Sequence, residues 1–500
     1  MMPRAFLISC LLASTLFHAT PVTAQRDPLA GFDAYVAAAV RDWDVPGLAV
    51  AVVEDGRTVF ARGYGTRSLD VGGAVDDETL FAIGSTTKAL TAAAVGMLVD
   101  EGEVEWDDPV IAHLPSFRIA DPYITREVTV RDLLTHRAGL GNADFLWYEQ
   151  DATTDDILAR LRHLEPAYSL RSDFIYQNIM YAAAGELIEA VSGVPWAEFV
   201  RTRIFEPLDM AETVPLLAET RGRENVARPH DIVDDELRVV GNASVDAIPA
   251  AGAVWSSVDD MARWLAFLLR DCTIESGDAL LEPETCAELF TPQTIVRDGF
   301  YPTARLTHPH WTTYGLGWFQ HDYEGRKVDF HTGSIDGMVA IAGLIRDEDL
   351  GVYVLANRDH TELRHALMYR VFDLYDDEAP RNWSAALDSL YDAIAARRDS
   401  ARAEDAAGRI EGTEPSLPLE RYAGTYADPL RGTVVVTAAG DALRLRYGLL
   451  EGPLEHWHVD TFRVVWDDAW RGDRFVSFVL DEDGDVEALR MGSARFERAR

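Results

Sequence analysis

A chain of 500 residues, 48% of them hydrophobic, exceeds one ordinary domain and carries enough apolar mass for large cores. Its 83 acidic and 46 basic residues leave a formal charge of −37, which argues against nucleic acid and anionic membrane surfaces as partners. Of the basic residues only two, Lys88 and Lys327, are lysine, and an acidic, lysine-poor composition is what a salt-rich habitat favours.

Residues 1–24 open with one Arg, run apolar from 5 to 17, and reach Val22-Thr23-Ala24 before Gln25. That pattern predicts a secretory signal peptide, so a secreted or periplasmic protein is expected. Reading Leu7-Ile8-Ser9-Cys10 as a lipoprotein box is the weaker alternative, because the apolar stretch before Cys10 is short. No later run approaches 20 apolar residues, so no membrane span is expected. Cys272 and Cys286 could pair in an oxidising compartment, although sequence alone gives no geometry. No Cys/His cluster has zinc-site spacing, and neither a metal nor an organic cofactor is expected.

After an amphipathic helix over 32–43 come two apolar runs joined by Asp55-Gly56, a hairpin signal. A long helical and loop region occupies about 105–310. KVDFHTG, VAIAGLIRD and LGVYVLANR then read as three strands, followed by a helix over 361–375. These parts predict one α/β sandwich whose sheet is assembled from both chain ends. Residues 376–416 turn polar and read as a linker with a helix over 384–397. From 417 to 500 short alternating strands predict a small antiparallel barrel or sandwich.

The chemistry concentrates at Gly84-Ser85-Thr86-Thr87-Lys88, just ahead of a long apolar helix. Arg replaces Lys as a charge almost everywhere in this chain, but Arg cannot lose its proton near neutral pH. A retained Lys three residues after a Ser therefore marks a nucleophile and base pair. At i and i+3 the two groups share a helix face, and burial lowers a lysine pKa. Backbone N–H groups of the first turn can hold a developing oxyanion. Tyr176-Gln177-Asn178 precedes a second apolar helix, and His331-Thr332-Gly333 lies on a late strand. His136, Tyr314 and Trp318 read as packing residues, Asn142 and Trp147 as pocket candidates, and Lys327 as a solvated turn charge.

The order Ser-x-x-Lys, Tyr-x-Asn, His-x-Gly resembles the serine hydrolases that include class C beta-lactamases, D-alanyl-D-alanine peptidases, D-aminopeptidases and related esterases. VTVRDLLTHRAGLG, IFEPLDM, WSSVDDMARWL, YGLGWF and GSIDGM are flanking phrases of the same kind. The C-terminal RYAGTYADP and LEHWHVDTFR are similar to the lipocalin-like barrel appended to some of these enzymes. The resemblance implies a hydrolase domain over 25–375, a linker over 376–416 and a barrel over 417–500. It implies Ser85 as nucleophile, Lys88 and Tyr176 as the proton-transfer pair, and Asn178 as a ligand to the substrate amide. His331, Thr332, Gly333 and Ser334 would bind substrate, with the N–H groups of Ser85 and Ser334 as oxyanion hole. A Tyr between two cationic neighbours is expected to have a lowered pKa.

His331 stands where the lactamases and carboxypeptidases usually carry Lys, and a mostly neutral His gives no fixed cation for a substrate carboxylate. The expected activity is therefore hydrolysis of amides, D-amino-acid peptides or esters through an acyl-enzyme. A beta-lactamase or D-alanyl-D-alanine carboxypeptidase is the first alternative, and a non-catalytic penicillin or cell-wall peptide binder the second. The expected partner is a small-molecule or peptide substrate, with a homo-oligomer possible.

Overall fold

The computed structural model describes residues 27–297, 300–376 and 379–499. The predicted signal peptide lies outside the described residues. Helix α1 (Phe32–Asp42) leads into strands β1 (Gly47–Glu54) and β2 (Arg57–Gly65). Asp55 and Gly56 both adopt positive φ, 50° and 66°, which a tight turn matched to strand twist requires. The sheet continues with β3 (Thr294–Ile295), β4 (Thr312–Tyr314), β5 (Phe319–Tyr323), β6 (Arg326–Ile335), β7 (Met338–Ile345) and β8 (Leu350–Ala356). Its order is β2-β1-β8-β7-β6-β5-β4-β3, antiparallel in every pair, with Leu48 opposite Ala356. Chain ends thus meet at the centre of the sheet, as the strand pattern predicts. Strands β3 to β5 extend it where the sequence shows only packing aromatics.

Strand β1 is apolar throughout because both of its faces are covered. Ala49, Ala51 and Val53 join a core built with α2 (Thr87–Asp100), α3 (Ile179–Ser192) and α4 (Val258–Leu269). Leu48, Val50 and Val52 join a second core with α1 and α5 (Leu363–Leu374). A disulfide between Cys272 and Cys286 ties the end of α4 to the segment behind α2.

The segment read as a linker carries a 25-residue helix, α6 (Trp383–Ala407). Its start belongs to the α/β core: Trp383 is 1% exposed, and its indole N–H donates to Asp373 at 2.8 Å. Eight strands, β9 (Gly424–Asp428), β10 (Gly432–Ala439), β11 (Ala442–Tyr447), β12 (Leu450–His458), β13 (Thr461–Val465), β14 (Asp473–Leu480), β15 (Val486–Met491) and β16 (Ala494–Arg498), then close into a barrel. Aromatic side chains, among them Tyr426, Phe462, Phe478 and Phe496, fill its interior. The barrel is docked rather than tethered. Leu430 is buried in the α/β core, Arg431 lies over the Phe145 ring, and the Leu449 N–H donates to the Glu149 carbonyl at 2.8 Å. No described helix is long and apolar enough to cross a membrane.

Candidate active site

Ser85 sits on the single turn Gly84–Thr86 that feeds α2, at the edge of a cavity of about 300 Å³. Two glycines bring this turn against β6. A Cβ on Gly333 would lie 1.9 Å from the Ile83 carbonyl, and one on Gly84, whose φ is +53°, would lie 2.7 Å from the Ser334 nitrogen. Neither position tolerates a side chain. The same close approach sets the Ser85 and Ser334 amides on either side of one gap.

Lys88 projects from the first turn of α2 into a fully buried position. Its Nζ lies 2.7 Å from Asn178 Oδ1, 2.8 Å from the Ala251 carbonyl and 3.0 Å from Ser85 Oγ. The first two partners can only accept. When the amine is neutral they take both of its N–H bonds, so its lone pair faces the Ser85 hydroxyl. When it is protonated, all three N–H bonds have acceptors. The site therefore holds either state without rearrangement. Burial lowers the Lys88 pKa to about 7, with the Asp144 carboxylate partly opposing the shift.

Asp144 is the residue sequence reading missed at this centre. Its carboxylate accepts from Asn178 Nδ2, Trp147 Nε1 and Asn142 Nδ2, each at 2.9 Å. That contact fixes the Asn178 amide with its oxygen toward Lys88. Trp147 lines the cavity as expected, whereas Asn142 acts by holding Asp144.

The Tyr176 ring stands beside Lys88 Nζ, 4.9 Å from its centroid, and its hydroxyl bonds to Ser85. The expectation of a lowered pKa is overturned. Burial raises it well above the ordinary value, and the neighbouring Lys88 is not held as a permanent cation. Tyr176 is a neutral phenol here, a proton donor rather than a preformed phenolate. His136 underlies this ring at 4.3 Å, its Nδ1 accepts the Gln177 N–H at 3.0 Å, and it is buried, as a packing role requires.

His331 is correctly a neutral group but not a residue of the cavity wall. It is buried behind Tyr176, where burial and then the Lys88 charge lower its pKa to about 3. Its Nδ1 donates to the Thr332 carbonyl at 2.6 Å, so Nε2 accepts from the Tyr314 hydroxyl at 3.0 Å. Thr332 turns its hydroxyl to Tyr301, at 2.8 Å. Gly333 serves by its lack of a side chain, and Ser334 is the member of this motif that lines the cavity.

Two further contributors carry no sequence signal. Arg364, at the start of α5, donates to the Gly333 carbonyl at 2.5 Å and Ser334 Oγ at 2.8 Å. Its other guanidinium nitrogens reach Glu362 at 3.0 and 3.1 Å. Burial pushes the Glu362 pKa up, but Arg364 and His365 pull it well below the usual range, so an ion pair holds the strand that carries Gly333 and Ser334. Arg471, from the barrel, donates to the Tyr148 hydroxyl at 2.7 Å and Asp336 at 2.8 Å, and also pairs with Glu149. Tyr148 and Asp336 are cavity walls, so the barrel braces the site. Among the described residues, no three His, Cys, Asp or Glu side chains are gathered as metal ligands.

A family model described as Beta-lactamase matches residues 32–375, and a domain of unknown function (DUF3471) matches 408–499. The chain is 31% identical to Unguisins hydrolase ungD of Aspergillus violaceofuscus, over 80% of this chain and 75% of that protein. It is 28% identical to Penicillin-binding protein 4 of Amycolatopsis lactamdurans, over 63% and 81% respectively. Among solved structures, the octameric penicillin-binding protein homologue from Pyrococcus abyssi superposes with a TM-score of 0.60 at 23% identity, covering 94% of this chain and 99% of that one. SurE superposes with a TM-score of 0.57 at 22% identity, covering 94% and 99%.

Proposed function

Because this chain belongs to the beta-lactamase family of serine hydrolases, we propose that it cleaves amides, D-amino-acid peptides or esters through an acyl-enzyme on Ser85. One observation carries the reading: the buried Lys88 amine, poised near neutral pH, turns its lone pair to the Ser85 hydroxyl. As Ser85 Oγ bonds to the substrate carbonyl carbon, its proton passes to Nζ, and the carbonyl electron pair moves onto oxygen. The amides of Ser85 and Ser334 take up that negative charge. Collapse expels the amine or alkoxide, which receives its proton from Lys88 through the neutral Tyr176 phenol. Water then enters by the same proton path and releases the acid, restoring Ser85.

The cavity favours substrates without a carboxylate beside the scissile bond. Its lining holds Asp144 and Asp336, and His331 offers no charge. This weighs against lactamase and carboxypeptidase activity. A structure of SurE holds D-Leu, and the relative named a hydrolase acts on unguisins, both of which suit peptide-type substrates. The Cys272–Cys286 disulfide and the N-terminal apolar segment support a periplasmic or secreted enzyme.

Intact mass after incubation with a fluorophosphonate and with a penicillin, against Ser85→Ala, tests the reading. Labelling that requires Ser85, with no lasting penicillin adduct, is expected. Failure of the fluorophosphonate to label would refute an activated serine. Turnover of matched D- and L-aminoacyl anilides then reports the preferred configuration.

A further inference from the structure

With a formal charge of −37, this surface repels anions at long range, so a local gathering of cations stands out. Four arginines, Arg67, Arg221, Arg223 and Arg228, line a second cavity of about 370 Å³. Arg67 is fixed without being neutralised: its guanidinium donates to the Glu224 carbonyl and Asn225 Oδ1, both at 2.9 Å. It also lies flat on Gly73, where a Cβ would come within 2.4 Å of it. Arg223 pairs with Glu212 at 3.1 Å. Among the described residues, Arg221 and Arg228 have no ion pair and no side-chain hydrogen bond. The opposing carboxylates are Glu224, which lines the cavity, and Asp76 and Asp246, which feel Arg67 and Arg221 at longer range.

The two cavities come together along the chain. Asn242 lines the arginine cavity and the next residue, Ala243, lines the cavity over Ser85. Consecutive Cα atoms are about 3.8 Å apart, so the two linings come within one residue of each other here. The cation missing beside the nucleophile is thus supplied on the far side of residues 242–243.

We propose that the arginine cavity is a distal subsite for an anionic group of the substrate, a carboxylate carried several bonds from the scissile carbonyl. This rests on the hydrolase reading and adds a substrate class to it: acyl compounds or peptides with an acidic end. Guanidinium forks grip carboxylate in two-point fashion, which is worth about tenfold in binding or more.

Two measurements test it. Anilides carrying chains of increasing length, each ending in a carboxylate or its methyl ester, are compared on the acyl side and on the leaving side. At one length the carboxylate is expected to have at least a tenfold higher kcat/KM. That ratio should fall toward one in Arg221→Gln/Arg228→Gln and in 1 M salt. Equal turnover of acid and ester at every length, or a preference that survives in the double variant, overturns the subsite. If neither series turns over and the fluorophosphonate leaves Ser85 unlabelled, it is the hydrolase reading that has failed. Calorimetric titration with inorganic phosphate judges the cavity without activity: binding lost in the double variant supports an anion site, and no binding to the wild type refutes it. Phosphate that alters ester turnover while leaving carboxylate recognition intact would mark a regulatory site and overturn the subsite.

Discussion

Replacing Lys88 by Met should abolish turnover and change how stability depends on pH. In the unfolded chain the amine titrates near 10.5, and in the folded protein near 7. Between these values the unfolded state binds a proton that the folded state lacks. Stability is therefore lost as pH falls from about 10.5 to 7, and the loss is complete below the folded pKa. The 3.5-unit separation corresponds to about 4 kcal/mol at pH 7, of which about 2 kcal/mol is recovered by pH 9. Methionine cannot titrate, but it leaves Asn178 Oδ1 and the Ala251 carbonyl without their donor, each loss costing about 1–3 kcal/mol. That cost is the same at both pH values, so the pH dependence isolates the titration. Urea unfolding of wild type and Lys88→Met at pH 7 and 9 measures it. The wild type should gain about 2 kcal/mol on the variant between the two pH values. A difference between the proteins that is the same at pH 7 and 9 would show that Lys88 keeps an ordinary pKa, and the base argument would fall.

Tyr176→Phe should slow acylation by about 10²- to 10⁴-fold while the inflection of kcat/KM near pH 7 stays, since that titration belongs to Lys88. Loss of the inflection with the phenol would give the base role to Tyr176. Arg364→Lys keeps the charge facing Glu362 but gives up the fork on the Gly333 carbonyl and Ser334; steady-state kinetics should show kcat down about tenfold with KM little changed. Unchanged kcat would mean that the oxyanion strand holds its place unaided. Arg471→Ala strands Asp336 and Glu149 beside Tyr148, so KM should rise and the melting temperature should fall by several degrees. Kinetics and melting equal to the wild type would reduce the barrel contact to a surface touch.

The Ser85–Lys88 pair was legible because the chain writes Arg almost everywhere, leaving Lys88 conspicuous three residues from Ser85. Sheet and barrel were legible because hydrophobic runs and alternation repeat over many residues, as in Val434 and Val436 facing the barrel interior. Asp144 was not, because its role depends on meeting Asn178, 34 positions away, across a loop without a motif. Arg364 is one guanidinium among 44, and nothing local marks it. The Tyr176 error came from counting nearby cations while its burial was invisible. Strand alternation could have warned that His331 and Ser334, three apart, face opposite sides of β6. The helix read within the linker at 384–397 was legible from Leu387 and Leu390, but not that its first turn is buried through Trp383.

The pairing of β1 with β8 sets a timetable for the growing chain. Leu48 waits for Ala356, some 300 residues downstream, before the centre of the sheet can close. At about 5–20 residues per second that is a delay of roughly 15–60 s. Throughout it the strand GLAVAVVE is paired only with β2, and its other edge stays unpaired until β8 arrives. A two-stranded ribbon is marginal in water, so the emerging N-terminal half is an open template for pairing with other chains. The barrel has no such wait, since each of its strands meets a neighbour within a few residues and the whole unit comes last. Synthesis therefore ends with a fast-closing module arriving beside a slow one, and Arg471 can reach Tyr148 and Asp336 only after both have folded.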